Sequence, residues 1–255
     1  MFYKNAITRK PGINFNQGIT TANLGIPDFF KAMAQHAEYV RTLEAAGIMV
    51  KNLESDIHFP DGCFVEDTAV VFPEAAIISN PGAISRKEEI KTINKILNTI
   101  KDLYFIDQPG TLEGGDVLKI ENKFYIGISD RTNPEGIRQF AEITKKFGYE
   151  TFAIKLEGIL HLKTGITYLG NNTIIGWPTV INQPEFNVYQ KIEIPPDELY
   201  ASNCIRIDED SLIIPKGFPK TKTILSELRY NVTVLDMSEF EKMDGGLTCL
   251  SLLFN

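Results

Sequence analysis

The sequence predicts an α/β fold made of a repeated strand–strand–helix–strand unit. Three observations predict it. Short apolar runs of strand length alternate with segments of helical period. That order recurs at a spacing of roughly 40–55 residues. The opening strand lacks a preceding partner and the terminal strand a following one, so five copies are counted if those two pair with each other. A repeat whose ends complete each other predicts a closed ring, which also removes exposed sheet edges. In such a ring the loops leaving corresponding strands converge on the axis. No linker rich in Gly, Ser or Pro divides the 255 residues, so a single catalytic domain over 1–255 is expected.

Taken in order, Asn5–Lys10 reads as a strand, followed by a Gly/Asn/Thr-rich loop. Pro27-Asp28 opens a helix whose apolar face is Phe29, Met33, His36, Val40 and Leu43, and Gly47 closes it. Ile48–Leu53 is the next strand. Val65–Phe72 and Ala75–Ser79 form a pair across Pro73-Glu74. Ser85 and Glu88 have capping-box spacing, which predicts Ser85 as N-cap and Arg86 in the first turn of a helix carried by Ile90, Ile93, Leu97 and Ile100. Leu103–Asp107 returns as a strand. The next repeat has Val117–Ile120 and Phe124–Ile128, then a helix capped by Asn133 with Pro134 at its first position. Ile137, Phe140, Ala141, Thr144 and Phe147 line that helix, Gly148 stops it, and Thr151–Lys155 follows. Gly165–Leu169 and Thr173–Gly176 pair across Asn171-Asn172. Cys204–Ile207 and Ser211–Ile214 pair across Asp208–Asp210, with a helix over Pro219–Asn231 and a strand over Val232–Leu235. Thr248–Phe254 is the terminal strand.

An apolar fraction of 43% is ample for a core, and a formal charge of −7 argues against nucleic-acid or anionic-membrane partners. No apolar run approaches the roughly 20 residues of a membrane span, and the N-terminal residues lack a secretory h-region. The three cysteines are widely spaced, without C-x-x-C, which fits free thiols in a reducing cytoplasm and gives no zinc-ligand spacing. The three histidines, His36, His58 and His161, offer no metal pattern either.

Four stretches place ionisable residues at strand mouths: Phe59–Thr68, Thr111–Asp116, Leu160–Gly165 and Asp244–Phe254. A lone cysteine such as Cys249 ordinarily packs a core, a lone histidine bonds a carbonyl, and Glu-Gly-Gly-Asp is an ordinary turn. Together they supply a thiol, an imidazole and several carboxylates. His161 has the chemistry of an acid and base, and Glu113 that of a carboxylate orienting it. Glu66-Asp67 lies between Phe64-Val65 and Ala69-Val70-Val71, where a merely solvated pair is unexpected; with Asp61 these carboxylates must be paired or await a cation. A guanidinium matches paired carboxylates through bidentate bonds. Surface solvation is the ordinary reading of Arg86 and Arg131, but they fall in corresponding loops of neighbouring repeats, which makes a carboxylate clamp credible. The substrate so described is arginine-like.

The phrases FPDGCFVEDTAVVF, GTLEGGDV, YIGISDRTN, LHLKTGITYL, YASNCI and MDGGLTCLSL resemble the bacterial dimethylarginine dimethylaminohydrolases, of the guanidino-group modifying superfamily. The resemblance covers essentially the whole chain. It implies the pentein fold, a five-fold pseudo-symmetric α/β propeller of ββαβ units. It implies Cys249 as nucleophile, His161 as acid/base and Glu113 as its orienting carboxylate. Asp61, Glu66 and Asp67 are implied to hold the guanidinium, Arg86 and Arg131 the α-carboxylate, and the carbonyls of Ile19 and Met243 the α-amino group. It further implies a lid over Gly18–Pro27, no cofactor, and conversion of methylated arginine to citrulline through a thiouronium intermediate. Cys63 and Cys204 are left as structural. The small-molecule substrate is the expected partner, with a homodimer left open.

Other readings are an arginine deiminase or amidinotransferase of the same superfamily, and a non-catalytic pentein module. Deiminases usually carry an additional helical insertion, for which this chain has no room. They typically carry aspartate two residues after the histidine; here Lys163 stands there, and its ammonium is expected to point away or pair with an acid.

Overall fold

The structure, a computed structural model, describes residues 3–255. Among them are five three-stranded sheets, each of the same construction. A central strand pairs antiparallel with one neighbour and parallel with the other. Ala75–Ile78 lies between Ala69–Val71 and Asp102–Phe105. Lys123–Ile128 lies between Val117–Ile120 and Glu150–Lys155. Thr173–Gly176 lies between Ile166–Gly170 and Gln190–Glu193. Ser211–Pro215 lies between Ile205–Arg206 and Asn231–Leu235. In the remaining sheet Asn5–Arg9 is central, parallel to Met49–Leu53 and antiparallel to Ser251–Phe254, the pairing expected of the first and last strands. A parallel neighbour needs a crossover, and the helical segments provide it.

The chain divides into two compact units: Met1–Val65 with Ile194–Asn255, holding two of the sheets, and Glu66–Glu193, holding three. The first has one apolar core, centred on Phe15, Tyr39, Phe64, Phe240 and Leu250. The second has two, one around Phe72, Phe124 and Phe140 and one around Tyr125, Ile174 and Phe186.

The long helix spans Phe29–Ala45, and the Asp28 side chain accepts the Lys31 N–H at 2.7 Å. Its buried face is Ala32, Gln35, His36, Tyr39, Val40 and Leu43, turned slightly from the one expected. Asn133 caps Pro134–Lys145 as the sequence indicates, and Asn171-Asn172 forms the expected tight turn, both residues at positive φ.

Four expectations are corrected. Ser85 is no N-cap: the chain first makes a 3₁₀ turn over Ile84–Arg86, and the α-helix starts only at Ile90. Val65–Thr68 and Thr248–Leu250 are 3₁₀ turns rather than the first residues of strands, so Cys249 lies in a turn. The helix from Pro219 ends at Glu227, and Arg229 at φ 69 turns the chain toward the strand at Asn231. The strand Gln190–Glu193 escaped the sequence reading because its crossover is a single-turn helix, Pro178–Ile181, and a 3₁₀ turn, too short to show a period.

Candidate active site

Each antiparallel edge strand is entered through a short 3₁₀ turn, and five of the candidate residues sit in or beside those turns. Glu66 and Asp67 lie in Val65–Thr68, Glu113 precedes Gly114–Asp116, His161 precedes Leu162–Thr164, and Cys249 lies in Thr248–Leu250. The turns leave Glu66, Asp67, Glu113 and His161 buried and Cys249 half-buried.

In the unit Glu66–Glu193, five of the expected residues form one buried network. His161 Nε2 meets Glu113 Oε2 at 2.8 Å and stands 3.9 Å from Asp67 Oδ1. Glu113 is fully buried; its other oxygen accepts the N–H groups of Gly82 and Ala83 at 3.1 and 3.5 Å and lies 3.6 Å from Arg131 Nη1. Asp67 accepts the Gly115 N–H at 3.0 Å and binds Arg86 Nη1 at 2.6 Å. The remaining Arg86 nitrogens bond Glu89, with Nε at 3.1 and 3.2 Å and Nη2 at 2.9 Å. Arg86 therefore spans two internal carboxylates. Close approach explains the double glycine: a Cβ on Gly115 would lie 2.7 Å from His161 Nδ1 and 2.8 Å from Asp67 Oδ1.

Burial works to lower the pKa of His161, but the charges of Asp67 and Asp116 and the bond to Glu113 outweigh it and raise it to about 9. For Asp67 burial opposes ionisation, yet His161 and Arg86 hold it down at about 2. Burial raises the carboxyl of Asp116, which accepts the Leu162 N–H at 3.0 Å and the Ser129 hydroxyl at 2.6 Å. Glu66 joins the same region through Lys163, whose Nζ meets its Oε1 at 2.6 Å. The lysine thus pairs with an acid, one of the two arrangements expected of it. Asp67, Glu113 and His161 each put a ligand atom within 4.8 Å of the others, a spacing able to hold a cation.

The other expected residues belong to the unit built from the chain's two ends. Cys249 is half-buried, and its Sγ accepts the Gly246 N–H at 3.3 Å. Cys63 and Cys204 are buried and form no disulfide, consistent with packing. Asp61 is buried and takes the Ile19 N–H on both oxygens, at 3.0 and 3.2 Å. Met243 is buried in the core, and Ile19 is exposed. Ile19 lies in the segment expected to act as a lid, where Thr20 and Thr21 bond Asp244, with the Thr21 N–H at 2.6 Å. Sequence reasoning missed Glu89, three residues after Arg86, and Asp244; only the i,i+3 spacing of the first carried a signal.

Five ββαβ repeats with ionisable residues at the strand mouths define a pentein, the α/β fold of enzymes that act on guanidino groups. Its breadth shows in the N-terminal domain of a cyanobacterial arginine dihydrolase, which matches with a TM-score of 0.87 at 17% identity over 98% of this chain and 97% of that one. Within the fold, a family model described as N,N dimethylarginine dimethylhydrolase, eukaryotic, matches residues 28–247. The chain is 40% identical to the N(G),N(G)-dimethylarginine dimethylaminohydrolase of Pseudomonas aeruginosa, over 99% of this chain and all of the relative. It is 32% identical to that of Streptomyces coelicolor, over 98% and 96%. The solved DDAH from Pseudomonas aeruginosa, a cysteine-to-serine mutant complexed with citrulline, covers 100% of both chains with a TM-score of 0.96 at 39% identity. The chain belongs to the dimethylarginine dimethylaminohydrolase family, hydrolases acting on carbon–nitrogen bonds.

Proposed function

We propose that the chain, as one catalytic domain over 1–255, hydrolyses Nω,Nω-dimethyl-L-arginine, and Nω-monomethyl-L-arginine, to citrulline and dimethylamine or methylamine. The observation that carries the reading is the buried His161–Glu113 pair, whose imidazole is an acid at neutral pH. Family membership supports it, as does a solved dimethylarginine dimethylaminohydrolase described as an adduct with S-methyl-L-thiocitrulline.

In this mechanism the Cys249 thiolate attacks the guanidinium carbon. His161 protonates the departing nitrogen, the carbon–nitrogen bond breaks, and the amine leaves. An S-alkylthiouronium remains on the sulfur. The same histidine, now neutral, takes a proton from water, whose oxygen adds to that carbon, and the carbon–sulfur bond breaks to give citrulline. Nε2–H donates to Glu113, which leaves Nδ1 as the nitrogen that gives and takes the transferred proton. Asp61, Glu66 and Asp67 face the cationic end of the substrate, Arg86 and Arg131 its carboxylate, and the carbonyls of Ile19 and Met243 its ammonium. Glu66 and Asp61 already have partners, Lys163 and the Ile19 N–H, so binding exchanges those bonds for substrate ones. Cysteines without a disulfide fit a cytoplasmic setting, and no helix among the described residues is long and apolar enough to cross a membrane.

Lys163 also decides the substrate. Standing where the deiminases typically carry aspartate, it leaves one carboxylate fewer for the N–H donors of plain arginine, and an unpaired buried donor costs about 1–3 kcal/mol. Dimethylarginine has lost both donors on one nitrogen. Incubation with dimethylarginine should give citrulline and dimethylamine in equal amounts, with a mass adduct on the wild type and no turnover in Cys249→Ser. Comparing kcat/KM across arginine, monomethylarginine and dimethylarginine should rank arginine last. Full activity of Cys249→Ser would sink the mechanism, and a preference for arginine would reassign the substrate.

A further inference from the structure

The turn at the strand mouth recurs in all five repeats: Val65–Thr68, Gly114–Asp116, Leu162–Thr164, Leu199–Ser202 and Thr248–Leu250. Four of these mouths supply Asp67, Glu113, His161 and Cys249. The mouth at Leu199–Ser202 has no part in the reaction as described above. Its side chains are nonetheless committed to the chain around Cys249. Tyr200 Oη donates to the Gly245 carbonyl at 2.7 Å. Asn203, buried immediately after the turn, accepts the Thr248 N–H on Oδ1 and donates from Nδ2 to Thr248 Oγ1, both at 3.0 Å. The segment Gly245–Thr248 is pinned at both ends. Between the pins, the Gly246 N–H meets Cys249 Sγ at 3.3 Å. A Cβ on Gly246 would lie 2.5 Å from Asn203 Oδ1, so the amide side chain packs directly on the glycine whose N–H faces the sulfur.

We propose that Asn203, assisted by Tyr200, is the positioning residue for Cys249: it fixes Gly246 and Thr248 so that the sulfur is aimed and the Gly246 N–H stabilises its thiolate. This rests on Cys249 being the nucleophile. A hydrogen bond to the charged form favours that form, and an N–H held by a rigid neighbour costs no reorganisation when the sulfur acquires charge. The unassigned repeat then contributes to the reaction as the others do, through the turn at its strand mouth.

The test uses Asn203→Leu, which keeps the size and removes both bonds, and Tyr200→Phe, which removes one hydroxyl. Alkylation of Cys249 by iodoacetamide at one fixed pH, followed on the Cys249 peptide by mass spectrometry, reads the thiol without substrate. It should slow about tenfold in Asn203→Leu, as expected for losing one aligned bond to a charged group. Turnover of dimethylarginine should lose on the order of 10²-fold in kcat, the cost of a misaimed nucleophile, with KM within a few-fold of wild type. Near-UV circular dichroism checks the fold. A folded Asn203→Leu whose Cys249 alkylates at the wild-type rate, or whose loss lies in KM alone, overturns the proposal. If that variant does not fold, Tyr200→Phe decides, with slower alkylation supporting the clamp and an unchanged rate rejecting it. A wild type that alkylates but turns over no dimethylarginine defeats the functional reading and leaves the clamp to be judged by alkylation.

Discussion

His161 and His36 are both buried, and their neighbours drive them in opposite directions. At His36 burial and the charge of Lys10 outweigh a bond to the Arg9 backbone and lower the pKa to about 4. At His161 burial works the same way, but Asp67, Asp116 and Glu113 reverse it and raise the value to about 9. The consequence for stability follows from which state binds protons. His36, depressed when folded, adds stability that is full above its ordinary 6.5 and lost as pH falls through 4. His161, raised when folded, adds stability that is full below 6.5 and lost as pH rises through 9. Stability in urea should therefore peak near pH 6.5. His36→Leu should flatten the acid limb, and Glu113→Gln should lower the His161 titration seen by NMR. A flat profile between pH 4 and 9 would refute this account of both histidines.

Among the elements, the capped helices were the most legible in the sequence. Asn133 was readable because a side-chain acceptor before proline satisfies a local need, and local needs are written in consecutive residues. Its second task was not readable: the same Oδ1 that caps Gly136 at 2.8 Å also takes the Thr111 N–H at 3.0 Å, from the loop before Glu113. Asn133→Ala should therefore cost about 2 kcal/mol, the upper end for a cap. Thermal unfolding would measure it, and an effect below half that size would make the Thr111 bond incidental. Ser85 shows the converse. Its capping-box spacing was sound local chemistry, but Glu89 is committed to Arg86, and the helix starts only after that pair. Likewise the turn at Val65–Thr68 looked like strand because burial of its carboxylates depends on Arg86, Gly115 and Lys163, remote in sequence.

At the scale of the whole molecule, the repeat was visible in sequence because each unit carries its own strands and turn. The closing pair was inferred by counting, and Asn5 to Thr8 do run opposite Phe254 to Ser251. A protein ending at Leu250 leaves Asn5–Arg9 with its parallel neighbour alone and strips Leu252 and Phe254 from cover. The expected outcome is rapid proteolysis within 3–65 and 194–250, with Glu66–Glu193 surviving longer because its cores are separate. Equal digestion of both would show that the pairing is dispensable.

The same pairing makes the order of the sequence negotiable. The Lys4 N–H bonds the Phe254 carbonyl at 3.0 Å, so the two ends already lie as the arms of a hairpin that lacks only its loop. A few residues joining 255 to 1 would supply that loop. The exposed turn at Asn171-Asn172 is then a natural place to open new termini. A circular permutant beginning at residue 172 and ending at 171 should fold and keep the circular dichroism of the parent.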